Sequence, residues 1–197
     1  MIKTQRVYQM LGNETLWETA VRCDQMLKSA GVLYSICGGV AVCMHGYQRN
    51  TVDLDLIVRP TDSDRIREVM TAAGFEWDPS LVEFRTPNGV AIQFLTAGDR
   101  AGKVSEVRIL EPVGDDNVET LDGLTVVRLS RLIEMKLASG LGNLRRTHKD
   151  FADVVELIAI RKLDSSFARL LHESLRATFR QLVQNANASE SLNDSDS

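Results

Sequence analysis

The sequence predicts a mixed α/β (α+β) core followed by a helical C-terminal portion. Three observations lead there. Short apolar runs of strand length alternate with helix-period segments in the first two thirds of the chain. An Asn-Gly turn signal at Asn88-Gly89 joins two such runs as a hairpin. Beyond residue 128 only helical periodicity remains. The chain has 197 residues, the size of one domain or one with a small appendage at about 150 residues per domain. The expected division is an α/β core over 1–128, a helical portion over 129–184 packed on it, and a disordered Asn/Ser/Asp-rich tail over 185–197.

The elements follow in order. Leu16, Ala20, Cys23, Met26 and Leu27 recur at helical spacing after a cap at Asn13 or Thr15, and Gly31 stops the helix. Val32 to Cys37 is a short apolar strand, broken by Gly38-Gly39. A short helix then runs to Gly46. Thr51 to Val58 is the next strand, ended by Arg59-Pro60. A helix from Ser63 to about Ala73 follows, capped by Asp62 or Thr61. Residues 81–86 and 90–97 form the hairpin. Residues 98–123 read as loops with a short strand near Val107 to Leu110, and Leu124 to Val127 as a strand. Three helices complete the chain: one capped by Ser130, one over Thr147 to Arg161 and one over Ser165 to Gln184.

Composition narrows the function classes. Hydrophobic residues make up 44% and the net charge is −4, which argues against a protein that coats nucleic acid or anionic membrane. No stretch approaches the roughly 20 apolar residues of a membrane span, and the N-terminus lacks a signal-peptide core. Cys23, Cys37 and Cys43 lack CxxC spacing and read as buried reduced thiols, as in a cytoplasmic protein. His45, Trp17 and Trp77 read as packing residues.

The chemistry lies between Cys37 and Val58. Glycines at a strand end let backbone N–H groups approach a ligand closely, which suits a phosphate. Residues i and i+2 of a strand share a face, so Asp53 and Asp55 project together. Two adjacent carboxylates repel unless a cation lies between them, and Mg²⁺ is commonly held by such a pair plus substrate phosphates. Taken singly, the acids also fit a solvated strand end and the glycines a tight turn.

In this order Gly38, Gly39, Ala41, Gly46, Arg49, Thr51, Asp53 and Asp55 resemble the nucleotidyltransferase superfamily of DNA polymerase β-like fold. The form is nearest to small bacterial nucleotidyltransferases of the abortive-infection toxin type. The resemblance extends through Lys136, Arg145, Lys149, Asp150 and Asp153, and so covers roughly residues 15 to 162. It implies a small mixed sheet flanked by helices. It also implies transfer of a nucleoside monophosphate from a nucleoside triphosphate to a hydroxyl of RNA, protein or a small molecule. Asp53 and Asp55 would be the catalytic and Mg²⁺-binding carboxylates, and Gly38 and Gly39 would hold the triphosphate.

Arg49 is read either as a phosphate contact or as a partner of Asp53, and Lys136, Arg145 and Lys149 as nucleotide contacts. Lys136 lies in an apolar helix stretch with Glu134 close by. Arg145, Arg146, His148 and Lys149 crowd a helix start, where the macrodipole disfavours positive charge; they also fit a solvated turn with Asp150 as a partner.

The family's third carboxylate corresponds to Gln93, a neutral group that cannot serve as general base. Either another acid replaces it (Glu83 nearest, then Glu106 and Asp99), or one metal suffices, or catalysis is lost. The alternative reading is therefore a catalytically degenerate binding module, a toxin–antitoxin component with a protein partner.

Overall fold

The computed structural model of the chain describes residues 3–193. It divides into two compact units. The first comprises residues up to Met44, Gln48–Asp99 and Ile109–Arg128; the second comprises His45–Tyr47, Arg100–Arg108 and the chain from Leu129 on.

The first unit is built on a seven-stranded mixed sheet. Its strands are β1 (Tyr34–Cys37), β2 (Asp53–Val58), β3 (Glu76–Asp78), β4 (Glu83–Arg85), β5 (Ala91–Thr96), β6 (Val118–Leu121) and β7 (Leu124–Val127). Their spatial order is β3-β4-β5-β2-β1-β7-β6. β2 lies at the centre, antiparallel to β1 and parallel to β5. Along β2, Leu54 and Leu56 are fully buried while Asp53 and Asp55 on the opposite face are half-buried. This period-two alternation fixes which face carries the acids.

The helices of this unit are α1 (Thr4–Met10), α2 (Glu14–Ser29), α3 (Gly38–Met44) and α4 (Ser63–Ala72). Leu16, Ala20, Cys23 and Leu27 form the buried stripe of α2, which packs against β2, β7 and α4. α1 was not expected from the sequence. Its first N–H is satisfied by Asp122 at 2.8 Å, across 118 residues, a partner no local pattern reveals. β3 and β6 were also not expected. β6 is half polar, but Asp122-Gly123, both at positive φ, form the two-residue turn that pairs it with β7. The strand expected near Val107 reduces to a single bridge between Arg100 and Arg108.

In the second unit α5 (Leu129–Gly142), α6 (Leu144–Arg161) and α7 (Arg176–Asn193) pack around Leu132, Ile133, Leu137, Val154, Leu157 and Phe179. Ser130 lies inside α5 instead of capping it. α6 starts three residues before the expected Thr147 because the Asn143 side chain accepts from the Arg145 N–H at 3.1 Å. The single helix expected over 165–184 is interrupted. Two 3₁₀ segments, Ser165–Leu170 and Glu173–Leu175, precede α7, separated by extended backbone at Leu171. The buried Glu134 carboxylate of α5 accepts the His172 N–H at that break. The tail expected to be disordered from 185 continues as helix to Asn193, with Ala186 buried; residues 194–197 lie outside the described residues.

Cys23, Cys37 and Cys43 are buried and form no disulfide. Burial pushes the Cys23 thiol up to about 12, so it stays protonated at neutral pH. Among the described residues no helix is long and apolar enough to cross a membrane.

Candidate active site

The site is built where β1 turns into α3 beside β2. Gly38 adopts φ +62°, a conformation that side chains resist. A Cβ placed there would lie 1.8 Å from Asp55 Oδ2, so the carboxylate occupies the space a side chain would take. At Gly39 a Cβ would lie 2.5 Å from Thr51 Oγ1. The two glycines thus bring the β1–α3 turn into direct contact with Asp55 and Thr51.

Thr51 is buried, and its hydroxyl donates to Asp53 Oδ1 at 2.6 Å. Its own carbonyl accepts from Asn13 Nδ2 at 2.6 Å. Asn13 stands at the N-cap position of α2, but its side chain makes no cap bond and instead ties down residues 50 and 51. The sequence reading named Thr51 as a motif residue and Asn13 as a helix cap, but assigned neither this supporting role. The only sequence signal was a Thr two positions before Asp53.

Arg49 is half-buried, and its Nη1 donates to the Asn50 carbonyl at 3.0 Å. Its guanidinium lies in the field of Cys43 and Tyr8. Burial pushes the Cys43 thiol up, while the Tyr8 hydroxyl and Arg49 pull it down. Tyr8 is fully buried; burial and then Cys43 hold its phenol protonated, with Asp53 adding in the same direction.

Across the sheet the register aligns Asp55 with Gln93 and Asp53 with Ala91. Phe84↔Ile92 and Arg85↔Ala91 bring Glu83 level with Gln93 on the next strand. The row Asp55–Gln93–Glu83 therefore crosses three strands on one face. Glu83 is buried, pairs with the Arg85 guanidinium, and accepts from Gln93 Nε2 at 3.1 Å. It lies two strands, about 10 Å, from Asp55; its Oε2 accepts from Gln93, and its Oε1 faces the Arg85 guanidinium without a hydrogen bond. The acid expected to stand in for Gln93 is thus held by its neighbours in the sheet. Asp99 is exposed in this unit, and Glu106 is exposed in the second.

Asp53 and Asp55 are hard oxygen donors on one face, a set that fits a single Mg²⁺ completed by water and phosphate oxygens. Among the described residues, no three His, Cys, Asp or Glu side chains are grouped to hold a metal ion.

The remaining basic residues belong to the second unit. Lys136 is buried, with its ammonium 2.8 Å from both Asp150 and Asp153. Burial lowers its pKa, but Asp153 and Asp150 outweigh this and hold it above the usual lysine value. Its partners are these two acids of α6 and not Glu134, which pairs with Arg131. Arg145 and Lys149 are exposed in the first turns of α6. His45 is buried, as expected of a packing residue.

No protein-family model matches this sequence, and no curated protein does. Solved structures match over 85–100% of the chain. The solution structure of the antibiotic-resistance factor ANT(2'')-Ia covers 100% of both chains at 9% identity, with a TM-score of 0.50. The crystal structure of ANT(2'')-Ia in complex with adenylyl-2''-tobramycin covers 85% of this chain and 96% of its own at 14% identity, with a TM-score of 0.52. An antigenic nucleotidyltransferase-like protein from Paracoccidioides brasiliensis is similar over 91% of this chain and 88% of its own, at 17% identity and a TM-score of 0.49. The chain has the nucleotidyltransferase fold. Within that fold the carboxylate pair stands on the central strand β2, flanked by the glycine turn on one side and Gln93 on the other.

Proposed function

We propose that the protein is a Mg²⁺-dependent nucleotidyltransferase. It would transfer a nucleoside monophosphate from a nucleoside triphosphate to a hydroxyl acceptor. The observation that carries this reading is the contact of Asp55 with Gly38: the β2 carboxylate that would hold the metal lies against the turn whose backbone would take the phosphate. The first N–H groups of α3 have no intrahelical acceptor and remain for a phosphate, while Asp55 and Thr51 fill the spaces that side chains at 38 and 39 would take. Asp53, oriented by Thr51, and Asp55 would hold the metal. Arg49 supplies positive charge to the same neighbourhood. Bound there, Mg²⁺ would neutralise triphosphate charge and polarise the α-phosphate.

In the reaction the acceptor oxygen bonds to the α-phosphorus, and the bond from that phosphorus to the bridging oxygen breaks. Pyrophosphate leaves, and the hydroxyl proton passes to solvent, because Gln93 cannot take it. The acceptor is RNA, protein or a small molecule; ANT(2'')-Ia in its complex with adenylyl-2''-tobramycin makes a small-molecule hydroxyl the first to assay.

Gln93 also favours a second reading, a binding module that retains the nucleotide site without turnover and acts through a protein partner. Calorimetric titration with each nucleoside triphosphate, with and without Mg²⁺, tests the common site. Mg²⁺-dependent binding that disappears in Asp53→Asn/Asp55→Asn supports it; absence of binding to every nucleotide overturns it. Pyrophosphate release then separates the enzyme from the binding module.

A further inference from the structure

We infer that Glu83 is a positioning residue that fixes the amide of Gln93 with its carbonyl oxygen toward the Asp55 side of the row, so that Gln93 serves as a neutral oxygen donor to the cation held by Asp53 and Asp55. This rests on the metal-binding reading above.

An amide presents two chemically opposite ends, and which end faces a site is decided by its partners. An ionised carboxylate only accepts, so Glu83 takes the –NH₂ end, at 3.1 Å. Gln93 lies between Glu83 and Asp55 in the row. With its nitrogen held on the Glu83 side, the oxygen is the end left to the Asp55 side. In the opposite orientation two acceptors would face each other at a buried position, which a side chain as buried as Glu83 does not tolerate without cost.

Glu83 is buried, and the Arg85 guanidinium pairs with its Oε1. The turn before it is shaped by Asp78, whose Oδ1 accepts from the Ser80 N–H at 2.9 Å and the Ser80 hydroxyl at 2.6 Å. Val82, the residue immediately before Glu83, sits at φ +57°, a conformation β-branched residues almost never adopt.

The test measures Mn²⁺ affinity by electron paramagnetic resonance, with no turnover required. Wild type, Glu83→Gln, Gln93→Leu and the double variant are compared, with Asp53→Asn/Asp55→Asn as the reference for loss of the site. Removing either Glu83 or Gln93 should weaken Mn²⁺ binding roughly tenfold, the scale of supporting groups around metal ligands. If Glu83 acts through Gln93, the double variant should lose no more than Gln93→Leu alone, a non-additivity that a purely structural role would not produce. Additive losses, or an unchanged affinity in Glu83→Gln, overturn the inference while leaving the metal site intact. Wild type that binds no Mn²⁺ overturns both the inference and the site. Should Glu83→Gln fail to fold, Gln93→Leu carries the test, and full Mn²⁺ affinity in that variant overturns the inference.

Discussion

Asp55 Oδ2 lies where the side chain of residue 38 would be, 1.8 Å from a Cβ built on Gly38. The glycine is thus required twice, by its positive φ and by the carboxylate pressed against it. A comparison glycine separates these demands. Gly31 has φ +71°, with nothing within 4 Å of its Cβ position.

Gly31→Ala should therefore lose about 1–2 kcal/mol, the backbone cost alone, and keep nucleotide binding. Gly38→Ala should lose the same backbone term, displace Asp55, and abolish Mg²⁺-dependent binding. Urea denaturation midpoints and calorimetry on the two variants check this.

Thr51 orients Asp53 through a 2.6 Å bond. Thr51→Val keeps the shape and removes the donor. It should cost about 1 kcal/mol of stability and roughly tenfold or more in metal affinity. Thr51→Ser should restore most of that affinity, as titration with Mn²⁺ will show.

Gln93→Asp adds a carboxylate directly across from Asp55. Because Asp is one methylene shorter, it withdraws from Glu83. Metal affinity should rise by roughly tenfold, since charge count tunes such sites. Pyrophosphate release should appear or increase if the chain retains the remaining machinery. Unchanged metal affinity would mean that position 93 does not face the cation.

Lys136 pairs with two buried carboxylates in the second unit. Lys136→Met leaves them facing each other and should destabilise by about 3–5 kcal/mol. In the wild type the native pKa is raised above the ordinary 10.5, burial being outweighed by Asp153 and Asp150. A raised pKa means the stabilisation is complete below the unfolded value and is lost as pH rises through the native one. The stability difference between wild type and Lys136→Met should stay constant from neutral pH to about 10 and shrink above it. Denaturation curves across that range test the sign.

The sequence by itself determined the strand β2 and the shared face of its acids, because a period of two leaves Asp53 and Asp55 no alternative while Leu54 and Leu56 are buried. It also marked Gly38-Gly39 as a break before a short helix, because glycine's backbone freedom is a local property. Tertiary structure decided the rest. It seated Lys136 between Asp150 and Asp153, residues 14 and 17 positions away on another helix. It turned Asn13 from its own helix to residues 50 and 51, and closed α1 with Asp122. It set Glu83 beside Gln93 instead of beside the acids of β2. Those outcomes depend on strand register and long-range pairing, where a shift of one residue exchanges every neighbour, and no local pattern in a single chain encodes the register between strands far apart in sequence.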